Sequence, residues 1–114
     1  IMGTPNLSAY AKLVREDAKA RNIYVPKDFD LLTSWIRYYD LNLQPEKINN
    51  RPLLFWHGTD DKRIPYQQSR KFFEKIHPES YGQQTAFITG YKAGHLVEPR
   101  LMDKIANFFE YYLE

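Results

Sequence analysis

Two adjacent aspartates and one histidine carry the chemistry this sequence could perform. Asp60 and Asp61 sit in the stretch HGTDDKRIP at 57–65, directly after an apolar run from Pro52 to Trp56, and His95 sits in GYKAGHLVEP at 90–99. A carboxylate that accepts the Nδ1 proton of an imidazole fixes its tautomer and stabilises the imidazolium, leaving Nε2 to act as a base. Such a pair is two thirds of a nucleophilic triad. The other two histidines read as structural: His57 as support for the strand end, His77 as a surface residue beside Pro78 at a helix C-terminus.

For an Asp and a His 34 residues apart to meet, the intervening chain must bring them back to one edge. The run Pro52–Trp56 predicts a strand buried on both faces, and Thr85–Thr89 predicts a second strand. Between them the spacing predicts a helix from about Tyr66 to Ile76, with Phe72, Phe73 and Ile76 inward and Arg70, Lys71, Glu74 and Lys75 outward. Strand, helix and strand with so long a crossover make a parallel βαβ unit. Its functional loops lie beyond the carboxyl ends of the strands. Parallel neighbours are about 4.8 Å apart, so an Asp on one loop reaches a His on the next.

Around this unit the pattern predicts three more helices. One starts at Thr4-Pro5 and runs to about Ala20, and a second starts near Asp28 with Phe29, Leu32, Trp35, Ile36 and Tyr39 on one stripe. The last spans about Arg100 to Leu113, with Leu101, Ile105, Phe108, Phe109 and Tyr112 inward. Trp35 and Tyr39 are expected to pack their helix onto the body; Tyr38 is open between packing and lining a substrate pocket. Residues 1–3 read as the end of a strand.

The 114 residues suit one domain or part of one, and 43% hydrophobic with 16% aromatic content predicts a real core. A net charge of +2 without long runs of either sign gives no argument for nucleic acid or an anionic membrane. No apolar segment approaches the roughly 20 residues of a membrane helix. The chain has no cysteine, which removes disulfides and thiolate metal sites and permits a reducing compartment, so the default location is cytoplasmic. No pair of histidines or carboxylates has close metal-ligand spacing on one element, so neither metal nor cofactor is expected.

PLLFWHGTDDKRIP resembles the seventh strand and acid loop of the α/β-hydrolase fold, and GYKAGHLVEP resembles the loop after its eighth strand. The resemblance covers about residues 48–114 and implies the following. The acid is Asp61 rather than Asp60, counting from His57 with Ile64-Pro65 as the apolar-Pro pair. The catalytic histidine is His95, in the family's Asp-before-His order. The fold is the C-terminal part of a three-layer α/β-hydrolase sheet, in which 46–114 form the last βαβα unit, 4–45 a helical cap-like insert and 1–3 the end of a preceding strand.

The family also needs a nucleophile in G-x-S-x-G and an oxyanion hole. Ser8, Ser34, Ser69 and Ser80 have no such context, and the chain opens Ile1-Met2-Gly3. The expectation is therefore the C-terminal portion of an esterase-like serine hydrolase acting on esters or small acyl compounds. Its partners would be that substrate and the N-terminal half of the same fold, and without that half the exposed sheet edge would favour self-association. The alternative is a noncatalytic α/β binding domain derived from a hydrolase.

Overall fold

The run Leu53–Gly58 forms strand β1 and Thr85–Gly90 forms strand β2, paired in parallel from Leu53 opposite Thr85 to Gly58 opposite Gly90. This pairing comes from a computed structural model, which describes residues 4–97 and 99–113, and the side chains of all of these except Asp30, Leu32 and Thr33. The expected strand end at 1–3 lies outside the described residues. Both strands run further than their apolar character suggests. β1 takes in His57 and Gly58 and β2 takes in Gly90, because the backbone ladder continues through them.

The crossover is helix α3, Tyr66–Ile76, as its periodicity predicts. Phe72 and Ile76 are fully buried and form the core with Ile48, against which Leu41, Leu53, Phe55 and Tyr81 pack. Burying one such side chain stabilises by roughly 1.5–3 kcal/mol. On the same sheet face the rings of Phe55, Phe73 and Phe87 cluster at centroid distances of 5.4 to 5.9 Å. Arg70 lies over Phe73 and Phe87 at 5.5 and 5.1 Å, so it covers the aromatic cluster rather than pointing away.

Other expectations need correction. Leu53 to Trp56 are half-buried, not buried on both faces. The second face meets the C-terminal helix α4, Leu101–Leu113, across an open cleft of about 400 Å³ between Leu54, Ala86 and Ile88 on the sheet and Phe108 and Tyr112 on the helix. The expected core is therefore narrow and lies on the α3 side. The radius of gyration, 15.8 Å, exceeds the about 13 Å of a compact domain of this length.

The N-terminal helices are α1, Leu7–Ala20, and α2, Asp28–Ile36, the latter continued by a 3-10 turn at Arg37–Tyr39. The cap of α1 is Asn6, whose side chain accepts from the Ala9 amide, and not Thr4. Trp35 and Tyr39 do not pack onto the body: they are 61% and 75% exposed, and Tyr38 is 73% exposed. Helix α2 packs against α1, where Arg15 lies over the Phe29 ring. The tighter 3-10 turn at Arg37–Tyr39 carries Tyr38 and Tyr39 off the helical phase.

Asp40, with no exposed surface, anchors this region. Its carboxylate accepts from the amides of Leu7 and Ser8 at 3.2 and 3.1 Å and of Asn42 at 3.1 Å. It thus satisfies free amides at the start of α1 from 33 residues away. Asp40→Ala leaves these partly buried donors without their acceptor and is expected to destabilise the protein by about 1–2 kcal/mol in denaturant unfolding. A loss below about 0.5 kcal/mol would contradict the anchoring role.

Candidate active site

The ends of β1 and β2 are stitched together before any functional side chain is placed. Beyond the ladder the Thr59 amide donates to Gly90 at 2.9 Å, the Asp60 amide to Ala93 at 2.9 Å and the Lys92 amide to the Thr59 hydroxyl at 2.8 Å. These bonds tie the two loops together. Gly58 makes this approach possible: a Cβ there would collide with the backbone oxygens of Ala93 and Gly94. Gly94 itself has no such constraint, since a Cβ at that position would meet nothing within 4 Å.

Within this scaffold the two oxygens of Asp61 divide their work. Oδ1 accepts from the amides of Arg63 and Ile64 at 2.8 and 2.9 Å, closing the acid loop on itself. Oδ2 lies 3.0 Å from Nδ1 of His95. Asp61 does not cap the following helix, because α3 starts after Pro65 without a side-chain cap. Asp60 is exposed, as expected for a solvated turn residue.

The Asp61 side chain is 5% exposed and that of His95 19%. Burial pushes the Asp61 carboxyl up, but the bonds from the Ile64 amide, the His95 ring and the Arg63 amide, with the charge of His95, outweigh it. The carboxyl is held below its ordinary value of 3.8. Asp61 is thus an ionised acceptor at neutral pH. Among the described residues, Nε2 of His95 makes no hydrogen bond. An imidazole held at Nδ1 by an ionised carboxylate, with Nε2 unengaged, can take a proton from a nucleophile presented at Nε2.

A second histidine borders the same carboxylate. His57, 4% exposed, has Nε2 at 2.8 Å from the Ile64 carbonyl and 3.1 Å from Asp61 Oδ2, and Nδ1 at 2.7 Å from the Ser69 hydroxyl. Ser69, His57 and Asp61 thus mimic a nucleophilic chain. Ser69 is only 5% exposed on α3, however, and the His57 Nε2 proton is engaged by the Ile64 carbonyl, so this set is closed to a substrate. The expectation that His57 supports the strand end is met and enlarged. Its link to Ser69 has no sequence signal beyond the helical phase that turns Ser69 inward with Phe72 and Ile76. His77 is exposed and bonds Thr85 at 3.0 Å, outside this cluster.

Trp35, Tyr38 and Tyr39 line a cleft of about 630 Å³ with Ser34, Gln44 and Lys47. Among the described residues no three His, Cys, Asp or Glu side chains are grouped to hold a metal ion, and no helix is long and apolar enough to cross a membrane.

A parallel strand–helix–strand unit whose two C-terminal loops carry a hydrogen-bonded Asp and His has the arrangement of an α/β-hydrolase. The chain belongs to the prolyl oligopeptidase family, whose model matches residues 11–114. It is 36% identical over 121 aligned residues to the putative esterase YitV of Bacillus subtilis (strain 168), covering 99% of this chain and 46% of that protein. It is 24% identical over 108 residues to the esterase YjfP of Escherichia coli (strain K12), covering 93% of this chain and 41% of that protein. The chain thus spans less than half the length of these curated relatives. No solved structure matches it significantly.

Proposed function

We propose that residues 1–114 are the C-terminal part of an esterase-like serine hydrolase, supplying the acid Asp61 and the base His95 to a nucleophilic serine carried on the segment before Ile1. The observation that carries this reading is the 3.0 Å bond between Asp61 Oδ2 and His95 Nδ1 at the joined ends of two parallel strands. The family and the partial coverage of two esterase-named relatives support it. On this reading the sheet continues beyond β1 or β2 into a three-layer α/β-hydrolase core, with 4–45 as the cap-like insert.

The mechanism on this reading is general-base catalysis by His95. Nε2 of His95 takes the proton of the incoming serine hydroxyl as its oxygen attacks the acyl carbon. The imidazolium so formed is stabilised by ionised Asp61. It then returns the proton to the leaving alcohol, which leaves an acyl-serine; a water deprotonated by the same nitrogen attacks that acyl carbon, and the proton passes back to the serine oxygen as the acid departs. The substrate class is a carboxylic ester or related acyl compound, and the aromatic cleft at Trp35, Tyr38 and Tyr39 is a candidate wall for it.

The test is hydrolysis of a p-nitrophenyl ester by the full-length protein, its His95→Ala variant and residues 1–114 alone. The full-length protein is expected to turn over, the variant to lose at least about 10³-fold in kcat, and residues 1–114 to be inactive. Turnover by residues 1–114 that His95→Ala abolishes would overturn the assignment of the nucleophile to the preceding segment.

A further inference from the structure

Three clefts in the N-terminal helical segment share their walls. The first, of about 450 Å³, is lined by Lys12, Arg15 and Arg37 together with Ser8 and Ser34. The last is the aromatic cleft of about 630 Å³ at Trp35, Tyr38 and Tyr39. Between them a cleft of about 450 Å³ shares Ser34 and Arg37 with the first and Ser34, Tyr38 and Gln44 with the last. Together they form one groove that runs from a cationic end to an aromatic end.

The 3-10 turn at Arg37–Tyr39 makes that change of character abrupt. With three residues per turn, consecutive side chains leave the axis about 120° apart. Arg37 therefore lines the first cleft and Tyr38 the last. Gln44 holds the turn: its Nε2 donates to the Tyr38 carbonyl at 2.8 Å and lies 3.4 Å from the Arg37 carbonyl.

The charge at the first end is not cancelled from nearby. Asp40 is engaged by the amides of Leu7, Ser8 and Asn42, and Glu16 reaches Lys12 only at 4.0 Å on the exposed surface of α1. Among the described residues no carboxylate lines the groove. Ser8 adds a buried hydroxyl with no hydrogen-bond partner among those residues. A guanidinium fork beside an ammonium matches a carboxylate, and exposed indole and phenol rings match a flat apolar ring.

We propose that this groove holds a substrate carrying both an aromatic ring and a carboxylate, with the ring against Trp35 and Tyr38 and the carboxylate at Arg37 and Lys12. The inference deepens the hydrolase reading and rests on it for the reaction at His95. The preference for such a ligand rests on the lining of the groove alone.

The experiment uses the full-length protein and two esters with the same ring and acyl group, 4-acetoxybenzoate and its uncharged carboxamide. KM for the carboxylate is expected to be at least about fivefold lower. Arg37→Ala is expected to narrow that ratio to below about twofold. Lys19→Ala removes an exposed charge of α1 outside the groove and is expected to leave the ratio as in wild type. Trp35→Ala is expected to raise KM for both esters about fivefold. Calorimetric titration with the corresponding phenols, 4-hydroxybenzoate and 4-hydroxybenzamide, is expected to give the same ranking and reads the groove without turnover. Equal KM and equal affinity for the charged and uncharged partners, or a ratio that survives Arg37→Ala, would overturn this inference alone. No hydrolysis of either ester or of p-nitrophenyl acetate, with the carboxylate preference intact in the titration, would overturn the hydrolase reading and still support the groove's ligand.

Discussion

Asp61→Asn in the full-length protein is expected to lower kcat by roughly 10³ to 10⁴-fold while KM changes little. The reason lies in which way the new amide must face. The Arg63 and Ile64 amides both point at Oδ1, so the asparagine oxygen is held there and its NH₂ falls at the position of Oδ2. That NH₂ meets Nδ1 of His95, which must then be unprotonated. His95 carries its proton on Nε2 in that state and cannot accept one from a nucleophile. The same NH₂ also opposes the N–H of His57.

The substitution has a pH signature as well. The folded-state carboxyl of Asp61 lies below its ordinary value of 3.8, so its contribution to stability is fully present above that value and is lost as pH falls through the folded one. The gap in unfolding free energy between wild type and Asp61→Asn should therefore narrow as pH is taken from neutral to well below 3.8. A gap constant across that range would mean that the ionised carboxylate does not hold the two loops.

Gly58→Ala is expected to be nearly as damaging, through packing alone. No described glycine has positive φ, so backbone freedom is not what Gly58 provides. It provides space: the added methyl meets backbone oxygens of Ala93 and Gly94, which cannot rotate away as a side chain could. The loop that carries His95 must lift, breaking the Asp60 amide bond to Ala93 and drawing His95 from Asp61. A cost of about 3 kcal/mol is expected from overpacking, together with a loss of roughly 10²-fold or more in kcat from misplacing the base by about 1 Å. Gly94→Ala is the control, with a change in stability below about 1 kcal/mol because the new methyl meets nothing. Equal effects at the two glycines, by thermal unfolding, would contradict the close-approach argument.

The strand–helix–strand unit was legible because its signals are local. Five apolar residues from Pro52 to Trp56, an inward stripe at Phe72, Phe73 and Ile76, and β-branched Thr85 and Ile88 each report their own element. The resemblance then chose Asp61 from two adjacent aspartates that composition cannot separate. What escaped was non-local. Asp40 looks like any turn aspartate until α1, far back along the chain, presents its amides to it. Ser69 looks like a small helix residue until His57 lies opposite. The stripe at Trp35 and Tyr39 has the period of a packed face yet is exposed, since periodicity reports a face and not what covers it.

The most direct test of the account is fluorophosphonate labelling of the full-length protein, read by intact mass and peptide mapping, with residues 1–114 as the comparison. The account predicts one adduct on the full-length protein, on a serine preceding Ile1, lost in His95→Ala, and none on residues 1–114. An adduct on Ser8, Ser34, Ser69 or Ser80, or none on either protein, would contradict it.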